Sequence, residues 1–281
     1  MNTPRTVAII QARMGSSRLP GKVLADIAGE PMLVRVIDRV AAANSLDAVV
    51  VATTDAPIDD PIAQLCDAVS VACYRGSEQD VLDRINRAAR ASDADIVVRI
   101  TADCPLIDGA EIDRCVRHLS GSRGGEDGWD FVTNRLPPPW TRTYPIGLDV
   151  ECCWRTALER AAEEAERPHQ REHVMPYIYE NARIFEDREG VTSEAMITGT
   201  GAFRVLVLQL GEDLGSTRWT VDTVEDLHVV REIYAALAPA TVFSWREALK
   251  AVLARPGLLQ QNSTIVQRHV LEVDDGFGRE E

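Results

Sequence analysis

The chain has 281 residues, 45% of them apolar and 26% charged, and acids outnumber bases to leave a formal net charge of -14. That length can bury a full core without disulfides or metals, and the acidic balance argues against nucleic acid as a partner, because phosphate backbones demand extended basic surface. No run of about 18 apolar residues occurs and the first residues lack the basic, apolar and small-residue order of a signal peptide, so a cytoplasmic protein with no membrane partner is expected.

Four short runs, "TVAII" (6–10), "AVVVAT" (48–53), "AVSVA" (68–72) and "DIVVRI" (95–100), are continuous and rich in β-branched residues, as strands covered on both faces should be. Between them "PMLVRVIDRVAAA", "DPIAQLC" and "QDVLDRINRAARA" space their apolar residues as helices do. This βαβαβαβ alternation predicts an α/β fold with a doubly wound, mostly parallel sheet and right-handed crossovers. "GSRGGEDG" (121–128) reads as a flexible surface loop and "RLPPPW" (135–140) as a stiff extended one. After them come a strand near "IGLDVEC", helices around 154–166 and 169–181, a strand "FRVLVLQL" (203–210), and helices around 223–237 and 244–254. Residues 1–254 are taken as one domain, with residues from 255 onward, ending "VDDGFGREE", as a loosely held acidic tail. The six cysteines show no C-x-x-C spacing for zinc and are expected as reduced thiols.

Charge is unevenly spread. Within residues 1–40, six bases face three acids, and three of those bases, Arg13, Arg18 and Lys22, surround a Gly-Ser-Ser turn in "QARMGSSRLPGK" (11–22), directly after the first strand. Lys22 is also one of only two lysines. A turn of this kind can present several backbone N–H groups to an oxyanion while the cations neutralise a polyphosphate; read structurally, it is a surface turn with solvated arginines. It is not a P-loop, since five residues separate Gly15 from Gly21 and Val23 supplies no hydroxyl, and the G-x-G-x-x-G dinucleotide fingerprint is absent.

The stretch "IIQARMGSSRLPGKVL" closely resembles the N-terminal signature of the cytidylyltransferases that activate acidic sugars, and in this form looks most like their spore coat polysaccharide biosynthesis protein F branch. The resemblance implies a nucleotidyltransferase with a Rossmann-type, GT-A-like fold, in which the loop cradles the triphosphate of CTP. It marks Ala12, Arg13, Gly15, Ser16, Ser17, Arg18 and Lys22 as nucleotide contacts, Lys22 and Arg13 with catalytic roles. It also implies a homodimer, with an acceptor and dimerisation insertion at about 135–200.

Nucleotidyl transfer further needs a divalent metal and carboxylates to hold it. "RITADCPLID" puts Asp103 just beyond the fourth strand, and in the strand order 3-2-1-4 it would face the Gly15 turn; its alternative role is to cap the helix after Pro105. Asp222, in "RWTVDTVEDL", either caps the following helix with Glu225 or, because "VDTVEDL" resembles the family's "VDTPEDL", joins Asp103 as a catalytic magnesium ligand. In "RGSEQDVLDR" (75–84), Ser77 and Asp80 show a capping pattern, and the resemblance places Arg84 beside the nucleotide. Thr101 stands where one branch has a glutamine near the cytosine, which leaves the choice of base open. "YPIGLDVE" and "REHV" resemble acceptor-lining stretches, implying Asp149, Glu151, Arg171, Glu172 and His173; alternatively these are exposed acids of a strand and a charged helix face. "HQREH" (169–173) also fits a zinc-hydrolase pattern, although no third ligand is identifiable nearby. The expected reaction is transfer of CMP from CTP to an acidic sugar with magnesium. Another acceptor such as a phosphonate or sugar phosphate, a nucleotide-sugar glycosyltransferase, and a nucleotide-binding protein without chemistry are the alternatives.

Overall fold

The computed structural model describes residues 3–121 and 128–265. Most of the loop expected at 121–128, and residues 266–281 of the expected tail, lie outside them.

The elements follow in chain order: β1 (Thr6–Gln11), the two-residue strands β2 (Asp26–Ile27) and β3 (Glu30–Pro31), α1 (Met32–Ala41), β4 (Ala48–Thr54), α2 (Asp60–Ala68), β5 (Ala72–Gly76), α3 (Val81–Ala91), β6 (Ile96–Thr101) and α4 (Gly109–Gly121). Then come β7 (Phe131–Thr133), β8 (Glu151–Trp154), α5 (Arg155–Glu164), α6 (Pro168–His173), α7 (Pro176–Glu180), β9 (Ala182–Arg188), β10 (Val191–Ile197), β11 (Phe203–Gln209), α8 (Val224–Leu237), α9 (Trp245–Leu253) and α10 (Pro256–Gln260). One nine-stranded sheet runs in the order β10-β9-β11-β7-β8-β6-β1-β4-β5. Within this sheet β8 is antiparallel to β6 and β7, β10 is antiparallel to β9, and the remaining pairings are parallel.

The parallel strands β1, β4, β5 and β6, counted in chain order, therefore lie in the order 3-2-1-4. β1 is an interior strand whose side chains are buried on both faces: Ala8 and Ile10 join one core with α1, α4, α8 and α9, while Val7 and Ile9 join a second with α3, α5 and α7. The helices supply matching stripes; on α1, Met32, Leu33, Val36, Ile37 and Val40 all face inward, and each such side chain removed from water contributes about 1.5–3 kcal/mol.

Three expectations are corrected. "AVSVA" is not a strand: α2 continues to Ala68, Ser70 takes a φ of 59, and Val71 N–H bonds to the Cys66 carbonyl at 2.9 Å, so Val69 and Val71 pack from the end of a helix and β5 starts at Ala72. The helix expected over 169–181 is two, broken where Val174 adopts a φ of 72 and Pro176 opens α7. The stretch from 255 is held down within its described part, since residues 256–260 form α10 and Asn262 is buried, donating to Arg218 O and Asp226 Oδ1. Residues 135–200, expected to carry the acceptor side and a dimer contact, supply β8 to the interior of the sheet and β9 and β10 to its edge.

Candidate active site

The loop after β1 folds back on itself. Gly21, with a φ of 71, turns the chain so that its N–H reaches the Met14 carbonyl at 3.0 Å, a left-handed conformation that suits glycine. Met14 N–H is anchored to the buried Asp59 at 2.7 Å, and a single 3-10 turn over Lys22–Leu24 follows. Ala12, Arg13, Gly15, Ser16, Ser17, Arg18 and Lys22 all line one cavity of about 320 Å³ at the carboxyl ends of β1 and β6, within the size range of small-molecule sites.

Asp103 and Asp222, 119 positions apart in the chain, meet at a single atom in that cavity. Lys22 Nζ lies 2.9 Å from Asp103 Oδ2 and 2.9 Å from Asp222 Oδ1, and donates its third bond to the Val221 carbonyl at 2.8 Å. The backbone fixes the approach: Val221 N–H bonds to Asp103 O at 2.8 Å, and Thr220 Oγ1 donates to the same carbonyl. Burial alone would lower the Lys22 pKa, but the two carboxylates outweigh it and raise it. Burial likewise pushes Asp103 up, and the adjoining ammonium overrides that to hold it down at about 2. Asp103 is therefore ionised at neutral pH against a protonated lysine.

Neither aspartate is spent on a helix. Asp108, not Asp103, bonds the start of α4 through Ala110 N–H at 2.8 Å. α8 is capped one residue later than the sequence suggests, by a reciprocal box between Thr223 and Asp226 in place of Asp222 and Glu225. Asp226 is wholly buried, accepts from Asp222 N–H at 3.0 Å and pairs with Arg218 at 2.8 Å; Arg218 in turn donates to Asp222 Oδ2 at 2.8 Å, and Arg18 to the same oxygen at 2.9 Å. Sequence reasoning missed Arg218, four positions before Asp222, although a buried carboxylate called for such a partner.

On the other side of the cavity the expected acceptor residues separate into two groups. Asp149, Glu151, Glu172 and His173 line it, and Thr101, expected as a nucleotide contact, lines the cavity as well. Asp149 is clamped by Arg142 through two bonds of 2.6 and 2.9 Å, and although burial pushes its pKa up, Arg142 and Arg135 bring it below the ordinary carboxylate value. Glu151 pairs with Arg99, which also holds Gln11 Oε1 at 2.6 Å. Because a guanidinium only donates, the Gln11 atom it faces must be oxygen, which turns the amide NH₂ away from Arg99. Gln11, Arg99, Arg135 and Tyr179 also line the cavity and were not singled out from sequence; the first two sit at the carboxyl ends of β1 and β6, where inward-facing polar residues were the available signal.

Arg171 and Arg84 do not belong to the cavity lining. Arg171 is drawn to Asp80 and the Ala162 carbonyl, because α6 turns that face toward α3. Arg84 is fully buried behind the loop, where its Nη1 donates to Ser77 O while Nε and Nη2 find no protein partner; burial, reinforced by Arg13, lowers its pKa to about 10. Ser77 and Asp80 form the expected cap of α3, through Asp80 N–H to Ser77 Oγ at 3.1 Å and Asp83 N–H to Asp80 Oδ1 at 2.9 Å. In "HQREH", His169 is buried against Glu180 at 2.7 Å while His173 faces the cavity, so the two histidines have different surroundings.

The donor chemistry of the aspartate pair suits a hard divalent cation: two carboxylates converge on one ammonium, so their oxygens already share a point a metal ion can take. Among the described residues no cluster of three or more His, Cys, Asp or Glu side chains could hold a metal, so the remaining ligands would come from water or substrate.

The family profile described as cytidylyltransferase matches residues 7–214. The chain is 27% identical to the spore coat polysaccharide biosynthesis protein SpsF of Bacillus subtilis, over 80% of this chain and 85% of that one. It is 28% identical to the 3-deoxy-manno-octulosonate cytidylyltransferase of Chlamydia trachomatis serovar A, over 85% of this chain and 98% of that protein. Its fold is similar to a solved cytidylyltransferase from Leptospira borgpetersenii, with a TM-score of 0.80, 29% identity, and coverage of 94% of this chain and 100% of that structure.

Proposed function

The chain belongs to the cytidylyltransferase family, and from that premise we propose that it transfers CMP from CTP to an acidic sugar of the nonulosonate or 3-deoxy-manno-octulosonate class, releasing pyrophosphate. The observation that carries this reading is the meeting of Asp103, Asp222 and Lys22 at the foot of the Gly15 turn. The cytidylyltransferase activity of the Chlamydia trachomatis relative and the polysaccharide role of the Bacillus subtilis one support the choice of nucleotide and acceptor.

In the proposed reaction the acceptor hydroxyl attacks the α-phosphorus in line. Magnesium held by Asp103 and Asp222 would neutralise charge on the α-phosphate and orient the leaving pyrophosphate. Arg13, Arg18 and Lys22 stabilise the charge that moves toward the β-phosphate, and the backbone of the Gly15 turn receives the remaining oxygens. Asp149, Glu151, Glu172 and His173 offer acceptors and donors for sugar hydroxyls. Most of the acceleration then comes from positioning and electrostatics. A cytoplasmic location and a homodimer belong to the same proposal; the exposed Val191 and Ile197 on the edge strand β10 offer apolar surface for a second copy.

Incubating the purified protein with each nucleoside triphosphate and a panel of acidic sugars, and reading pyrophosphate, tests the proposal. CTP with one acidic sugar should give release; release only with another nucleotide, or only with a phosphorylated acceptor, contradicts it.

A further inference from the structure

The Lys22 ammonium has no donor to spare. All three of its N–H bonds are used, on Asp103 Oδ2, Asp222 Oδ1 and the Val221 carbonyl, at 2.9, 2.9 and 2.8 Å. To touch a phosphate on the neighbouring loop, it must release at least one of these acceptors. Asp222 is held independently of it, because its second oxygen accepts from Arg18 and Arg218. The carboxylate therefore keeps its place when the lysine moves. A divalent ion and the ammonium would compete for the same oxygens of the same two side chains.

Resting on the nucleotidyl-transfer reading above, we infer that Lys22 keeps the Asp103–Asp222 pair closed to divalent metal until a nucleoside triphosphate draws the ammonium away, so that metal enters with the nucleotide or after it. Lys22 is then a positioning residue that sets the order of binding as well as a phosphate contact. Magnesium is commonly held by one or two carboxylates completed by substrate phosphates, and this pair, which belongs to no group of three or more His, Cys, Asp or Glu side chains able to hold a metal among the described residues, is built for that sharing. The ammonium stands between the two aspartates, 2.9 Å from each, when neither metal nor substrate is present.

Mn²⁺ binding to the nucleotide-free protein, read from the electron paramagnetic resonance signal of free Mn²⁺, tests this without turnover. Wild-type protein should bind Mn²⁺ weakly, Lys22→Met should bind it about tenfold more tightly or better, and adding Asp222→Asn to Lys22→Met should remove the gain. Equal Mn²⁺ affinity in wild type and Lys22→Met, whether strong or weak, overturns the inference. If Lys22→Met does not fold, thermal melting of the wild type decides instead. A Tm unmoved by Mg²⁺ alone, but raised by Mg²⁺ with CTP beyond the rise from CTP alone, supports the order; a Tm raised as far by Mg²⁺ alone overturns it. Calorimetry of CTP with the metal-free wild type separates the two claims. No CTP binding contradicts the proposed function, whereas CTP binding together with a metal affinity indifferent to Lys22 contradicts only the order.

Discussion

Gly147 lies directly against the backbone of Thr220. At its φ of 101 a Cβ would stand 2.5 Å from the Thr220 nitrogen and 2.7 Å from the Trp219 carbonyl carbon. The close approach is tied by Ile146, whose N–H reaches Thr217 O at 2.8 Å and whose carbonyl accepts from Trp219 N–H at 2.7 Å. This contact joins the segment carrying Asp149 and Glu151 to the segment carrying Asp222, so the proposed acceptor side and the proposed metal side of the cavity share one backbone seam.

Gly147→Ala should therefore push residues 219–222 outward. The left-handed backbone and the overlap together are expected to cost about 2 kcal/mol or more, read by urea denaturation, and turnover should fall further than that loss explains because Asp222 is displaced. Wild-type stability and turnover in this variant would show that the seam does not position the site.

Asp226→Ala leaves the Arg218 guanidinium, whose side chain is 2% exposed, without its main buried counter-ion. Removing one partner of such a pair is expected to cost about 3–5 kcal/mol, measured by chemical denaturation. Asn262→Ala should act in the same direction but by about 1–3 kcal/mol, since it deletes hydrogen bonds to Arg218 O and Asp226 while leaving the ion pair. An Asn262 variant as stable as wild type would show that the stretch after α10 contributes nothing to the buried cluster.

The Asp103 carboxyl, held down at about 2 in the folded chain, gives the metal-free protein an acid dependence of known sign. A group with a depressed folded pKa contributes stability that is fully present above its unfolded value and is lost as pH falls through the folded one. Unfolding free energy should thus decline from about pH 4 toward pH 2, and Asp103→Asn should flatten that part of the curve while lowering stability at pH 7. An unchanged acid slope in the variant would mean that Asp103 is not paired with Lys22 in solution.

Much of this arrangement is legible in the sequence because burial on both faces leaves a strong imprint. The runs at 6–10, 48–53 and 95–100 are continuous for that reason, and each became a strand within a residue or two. The hairpin of β9 and β10 was missed: β10 is exposed along its whole length at the sheet edge, so "VTSEAMI" carries no core pattern. β7 is three residues long, too short for any period to register. β5 slipped because the apolar residues at Val69 and Val71 serve the end of α2, a distinction made by the backbone of Ser70 and invisible in composition.

The site divides along the same line. Lys22, Asp103 and Asp222 are marked by their places at the ends of elements, and the strand order brings two of those ends together. Arg84 and Arg171 could not be placed from sequence, since whether a helical arginine reaches a cavity depends on how its helix is rotated. α3 buries Arg84, and α6 turns Arg171 to Asp80. The one-residue shift of the α8 cap was equally hidden, because Asp222, Thr223, Glu225 and Asp226 offer two overlapping capping boxes and only the packing of Asp226 against Arg218 and Asn262 selects one.

The central claim is that Asp103 and Asp222 act together with Lys22 in one nucleotidyl-transfer site, and CTP-dependent pyrophosphate release in the presence of the acceptor found by screening measures it most directly. Asp103→Asn and Asp222→Asn should each lower release by a factor on the order of a thousand or more while circular dichroism shows the fold intact. Near-normal release from both folded variants would contradict it.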